Sequence, residues 1–111
     1  MASNIVRFDA IRSVANGSIT GSYAAFGSAF GHAMRILHFA NGTNADVFIS
    51  FDGTTDNLIV PAGGFVLYDF TSDEDPAEQF RVQNGTQVYL KYSSSPSSGT
   101  IYLISIYGKG E

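Results

Sequence analysis

Val47-Phe48-Ile49-Ser50-Phe51-Asp52, followed at once by Gly53, is the stretch on which the fold turns. Val47, Ile49 and Phe51 recur with period two and share one face, while Ser50 and Asp52 point away from it, as in a half-buried strand. The Asp52-Gly53 pair then supplies a turn, because glycine accepts the positive φ that tight turns require. Further along, Gln87-Val88-Tyr89-Leu90-Lys91-Tyr92 repeats the pattern, with Val88, Leu90 and Tyr92 inward and Gln87 and Lys91 outward.

Turn signals recur throughout the chain, at Asn16-Gly17, Gly21, Gly27, Gly31, Asn41-Gly42, Pro61-Ala62-Gly63-Gly64, Asn84-Gly85, Ser98-Gly99 and Gly108. Their spacing is that of short strands joined by turns. Three segments are apolar on both faces, namely 34–41 (MRILHFAN), 64–70 (GFVLYDF) and 100–107 (TIYLISIY), and read as central strands covered on two sides by a partner sheet or subunit. Near the start, Val6, Phe8 and Ala10 alternate with Arg7, Asp9 and Ile11, which gives an N-terminal strand or an extended arm. No segment has a helical period. The stretch 22–32 (SYAAFGSAFGH) reads as strand and loop, since Gly27 and Gly31 weaken a helix. Residues 93–99 (SSSPSSG), the one low-complexity tract, read as a mobile hairpin tip. The expectation is an all-β protein, a β-sandwich or jelly-roll-like domain of about eight short antiparallel strands. It comprises an N-terminal strand or arm over residues 1–14 and a single domain over residues 15–111.

Composition narrows the function classes. Hydrophobic residues make up 44% and charged residues only 14%, against roughly 25% charged in an ordinary soluble domain. A surface this poor in charge is expected to hide part of itself in a homo-oligomer or larger assembly. The net charge is −4, and the six Lys and Arg residues form no cluster, so no nucleic-acid partner is expected. There is no cysteine, hence no disulfide, thiolate ligand or cysteine nucleophile. The opening MASNIVRFDAIRSVANG has no basic region leading into an apolar run, and no apolar run approaches the roughly 20 residues of a membrane helix. Neither a signal peptide nor a membrane partner is expected.

The chemistry-bearing residues each have a plainer reading. His32 and His38 have no third ligand at metal-site spacing. Asp69, Asp73, Glu74, Asp75 and Glu78 crowd one stretch, but without the alternating ligands and glycine of a calcium loop they read as a solvated acidic loop ended by Pro76. Asp52 and Asp56 are too few for a hydrolase pair, and Asp52-Gly53 is accounted for by the turn. The sequons at Asn16, Asn41 and Asn84 all carry glycine in the middle and read as turns. No serine sits in a nucleophile elbow, and 27–31 (GSAFG) lacks the lysine and following helix of a phosphate loop. Six tyrosines, Tyr23, Tyr68, Tyr89, Tyr92, Tyr102 and Tyr107, offer stacking surfaces for sugars, although most lie inside strands and read as packing. No catalytic residue, cofactor or metal site is expected. The apolar stripe of Val6, Phe8 and Ala10 is the candidate partner contact.

Residues 41–53 (NGTNADVFISFDG), 60–69 (VPAGGFVLYD), 85–90 (GTQVYL), 99–102 (GTIY) and 106–108 (IYG) together resemble a group of small β-rich virion structural proteins of tailed bacteriophages. The resemblance spans Arg35 to Tyr107 and leaves Met1 to Met34 uncovered. It implies a non-enzymatic structural protein made in the bacterial cytoplasm and located in the virion. Within the particle it implies a capsid decoration or cement subunit, or alternatively a head–tail junction or tail component, partnered by other virion proteins. The residues themselves leave open a carbohydrate-binding β-sandwich.

Overall fold

The computed structural model describes residues 6–70 and 82–108. Nine strands alternate with loops: β1 (Val6–Phe8), β2 (Arg12–Ala15), β3 (Ala24–Ala25), β4 (Met34–Asn41), β5 (Val47–Ser50), β6 (Leu58–Val60), β7 (Phe65–Asp69), β8 (Tyr89–Tyr92) and β9 (Thr100–Gly108). A single 3₁₀ turn, Asn16–Ser18, is the one helical piece among the described residues. All pairings are antiparallel. One sheet has the order β1-β9-β4-β7 with β2 also on β9, and the other has the order β3-β8-β5-β6. With β1 and β2 sharing one edge of β9, the strands fill eight positions. Apart from β1 and β2, which share one edge, and the paired β5 and β6, successive strands fall in opposite sheets, the order of the two interleaved Greek keys of a jelly roll.

The core lies between the sheets. Leu37 and Phe39 of β4, Ile101 and Leu103 of β9, Val47 and Ile49 of β5, and Leu90 of β8 are all buried. Phe26 and Phe30 join them from the segment between β3 and β4, and the Phe26 ring meets Phe39 at 6.4 Å. Although that segment is irregular, it is tied down by the amides of Phe26 and Phe30, which donate to the carbonyls of Val88 and Thr86. It therefore contributes two core rings from a stretch whose glycines had suggested only strand and loop.

Three sequence expectations are corrected. Segment 64–70 is not a central strand: β7 stands at the sheet edge, and Phe65 and Leu67 on its outer face are exposed. Its apolar character serves a face that nothing in the fold covers. Ser50 does not point to solvent but is fully buried, where its hydroxyl donates to Asp52 Oδ1 (2.7 Å) and accepts from the amides of Asp52 and Gly53. Residues 93–99 do not form a free hairpin tip, since β8 and β9 lie in different sheets and the tract crosses between them. Asn44 holds the crossing through its Oδ1 and Nδ2, bonded to the Ser97 amide and hydroxyl, and Pro96 is buried.

Candidate functional site

Register decides which side chains leave the core. On β4, inward Leu37 and Phe39 alternate with Ile36, His38 and Ala40. Cross-strand partners share a face, so Ile36 aligns outward with Ile106 and Asp69, His38 with Ile104 and Leu67, and Ala40 with Tyr102 and Phe65. On the far edge Phe8 pairs with Ile106 and Val6 with Gly108, and Ile11, next to inward Arg12, adds to the same side. The outer face of the five-stranded sheet is thus largely apolar, with Ser13, His38 and Asp69 as its polar members. Its exposures are high for such residues: Phe8 71%, Phe65 64%, Ile11 58%, Leu67 54%, Val6 52% and Tyr102 39%.

Within this face, Ala40 is the short residue between two large ones. Tyr102 and Phe65 stand on either side of it, and a cleft of about 410 Å³ opens there, floored by Ala40 and His38 and rimmed by Gly42, Gly63 and Gly64. His38 meets Phe65 edge to face at 5.3 Å, which fixes one wall. The rim is set by the Pro61 to Gly64 turn, where Gly63 has φ 69° and the Gly64 amide donates to the Pro61 carbonyl; this is the type II geometry that calls for glycine.

The opposite sheet is dressed differently. Lys91 lies over the rings of Tyr23 (4.7 Å) and Phe48 (5.7 Å) and pairs with Asp56 at 3.3 Å, while the Tyr23 hydroxyl donates to Asp56 Oδ1 at 2.5 Å. Burial, then the hydrogen bond to Asp56, pushes the Tyr23 phenol above its ordinary range. The same hydrogen bond, with Lys91, lowers the Asp56 carboxyl. This cluster puts charge on the outer face of the four-stranded sheet, beside Phe48 and the exposed Ile59.

The sequence candidates land as follows. Val6 and Phe8 lie on the apolar face, and Ala10 is exposed in the break between β1 and β2. β1 is a strand of the chain's own sheet, hydrogen-bonded along β9. Asp52 is wholly occupied in its turn, with Oδ1 accepting from the amides of Thr55 (2.7 Å) and Thr54 (2.8 Å) and Oδ2 from the Thr55 hydroxyl (2.7 Å). Those bonds, the Thr55 amide first, hold its carboxyl well below the usual carboxylate range. Neither Asp52 nor Asp56 is poised near neutrality as a general acid would be. His32 stacks flat on Tyr107 at 3.8 Å, far from the role of a ligand, and no group of three His, Cys, Asp or Glu gathers among the described residues. Of the acidic loop 69–78, residues 71–78 lie outside the described residues.

The sequence marks Asn41 as the end of a strand and the start of a turn. It is buried at the end of β4, donating to the carbonyls of Ala45 (2.8 Å) and Val60 (2.9 Å) and accepting from the amide and hydroxyl of Thr43. Arg12, counted in the sequence as one of six scattered cations, is nearly buried too. Its guanidinium reaches Asp9 (3.1 Å), Ser105 Oγ (3.2 Å) and the Ser28 carbonyl (3.1 Å), and lies 4.8 Å from the Phe30 ring centre. A second concavity of about 490 Å³ opens between the sheets, walled mainly by Leu37, Phe51, Leu58, Phe70 and Val82, with Tyr68 and Thr86 adding hydroxyl-bearing side chains. Among the described residues no helix is long and apolar enough to cross a membrane.

Comparison of the chain with protein-family models, with curated proteins and with solved structures finds no match.

Proposed function

We propose that this chain is a non-enzymatic structural subunit of a tailed-bacteriophage particle, a capsid decoration or cement protein that joins its neighbours through the outer face of the five-stranded sheet. The observation that carries the reading is that face itself, where Phe8, Ile11, Phe65, Leu67 and Tyr102 are exposed together on one rigid surface. Exposed apolar patches of this size mark interaction sites, because leaving them in water costs about 25 cal/mol for each Å². The resemblance of residues 35–107 to small phage structural proteins supplies the setting. An acidic subunit gains nothing from lying against packaged DNA, which favours the outer surface over the interior. The head–tail junction and the tail are alternative positions in the same particle.

Particles purified from cells that make this chain are expected to contain it in stoichiometric amount. Leu67→Lys, which puts a charge on the apolar face, is expected to abolish incorporation while leaving the circular dichroism spectrum unchanged. Recovery of the wild-type chain only as free protein, with none in the particles, would overturn the reading.

A second reading is a carbohydrate-binding module, favoured by one observation: the cleft between Tyr102 and Phe65 has aromatic walls. A glycan array that lights up with the wild type and goes dark with Tyr102→Ala would select it.

A further inference from the structure

We propose that the outer face of the five-stranded sheet is self-complementary and joins two copies of this chain, each seating its Phe8 in the other's cleft between Tyr102 and Phe65. The inference rests on the reading of that face as the assembly surface and names its occupant. Three observations carry it.

The first is size. β1 and β2 together, β9, β4 and β7 hold seven, nine, eight and five residues, which at about 3.4 Å rise and about 4.8 Å spacing give a face of roughly 470 Å² in projection. Side-chain relief adds to that figure, which brings it towards the roughly 800 Å² that each partner contributes to a standard stable interface.

The second is shape. Phe8 is the most exposed large apolar residue of the face and stands at one corner, opposite Ile106. The cleft lies at the other corner, four residues along β9 at Tyr102 and two strands across at Ala40, which is about 13 Å by about 10 Å away. A knob and a hole at opposite corners of one surface are what an isologous pair needs. A two-fold axis running diagonally across the face carries each knob to the partner's hole, and the two sheets then cross at a steep angle, as in orthogonal sheet packing.

The third is charge. Each copy has a net charge of −4, so pairing through a charged surface would be opposed. This face brings together Ile36, Ile104, Ile106 and Leu67 around His38, with Asp69 at its margin, so its centre sets no like charges against each other. On the opposite sheet the ion pair of Lys91 and Asp56 sits beside Phe48 and the exposed Ile59, so that face is the more charged of the two.

Sedimentation equilibrium of the purified full-length chain tests the pairing. The wild type is expected to be dimeric at micromolar concentration. Phe8→Ala, which removes the knob, and Ala40→Leu, which fills the hole, are each expected to weaken the dimer 10- to 100-fold with unchanged circular dichroism. Because the two positions meet across the interface, the double variant is expected to be little worse than either single one, whereas independent sites would multiply. A wild type that stays monomeric at several hundred micromolar overturns the proposal. If Leu67→Lys nevertheless blocks incorporation into particles, the assembly reading survives and only the second copy is wrong. A dimer that survives both single variants places the interface elsewhere and also overturns the proposal.

Discussion

At the scale of single residues, the side chains that hold this fold are polar ones placed where the chain changes direction. Asn41 links β4 of one sheet to β6 of the other, by way of the 43–45 loop, through four hydrogen bonds. Asn41→Ala leaves the carbonyls of Ala45 and Val60 without this donor and is expected to cost about 1–3 kcal/mol in urea unfolding. Asn41→Asp keeps the shape but turns both donated bonds into oxygen facing oxygen. It is expected to cost at least as much at neutral pH and to recover partly in acid, where a protonated carboxyl regains one donor. Asp52 gives a pH prediction of definite sign. Its pKa in the folded chain lies below the ordinary value of about 4. The support that its ionised form lends to the 50–55 turn is therefore complete above that ordinary value, and is lost only as pH falls through the lower, folded one. Protection of the Thr54 and Thr55 amides from hydrogen exchange, relative to the intrinsic rate at the same pH, is expected to persist at pH 3 in the wild type and to be lost in Asp52→Ala.

At the scale of elements, the N-terminal edge divides into two parts with different duties. Arg12, in β2, is nearly buried and bonded to β9 and to the 28–30 segment, whereas β1 contributes backbone pairing and three exposed side chains. Removing residues 1–8 is thus expected to leave a folded chain with a modestly lower melting temperature. Removing residues 1–14 is expected to abolish cooperative melting, because Arg12 and Val14 go with it. The same contrast shows what was legible in the sequence. Period-two segments announce strands and their inward residues, so Val47, Ile49, Val88 and Leu90 could be placed without coordinates. Leu90→Ala is expected to cost about 2–5 kcal/mol, as core truncations do. Position within a sheet was legible only in part: 34–41 and 100–107 are the interior strands β4 and β9, as expected, but an apolar outer face looks the same whether a sheet, a subunit or nothing covers it. That is why 64–70 read as central and proved to be the edge strand β7. Long-range pairing was hidden as well: nothing local shows that Ser93 to Gly99 would be pinned by Asn44, or that Phe26 and Phe30 would enter the core from a glycine-rich segment. Of the candidate site, Phe8 and Val6 were visible as a stripe. The cleft was not, since Tyr102, Ala40 and Phe65 meet only through the register of β9, β4 and β7.

At the scale of the whole molecule, the two sheets differ in their outer surfaces while sharing one core: one side carries the Lys91–Asp56 pair beside Phe48 and Ile59, and the other is largely apolar. Far-UV circular dichroism is expected to show an almost purely β spectrum, and a helix content above about one fifth would contradict the fold. The architecture also has a consequence in time. β9 is the hub of the five-stranded sheet, pairing with β1 and β2 on one side and β4 on the other, yet it is the last of the described strands to be synthesised. Until it leaves the ribosome, β1 and β2 have no strand to join, and β4 has only β7 beside it. Residues separated by most of the sequence must then find one another before the sheet closes, the kind of topology that refolds in milliseconds to seconds rather than microseconds. During that interval the nascent chain carries several unclosed apolar strands, and its yield in the cell will depend on how quickly this final segment emerges and on how well the chaperones shield what waits for it.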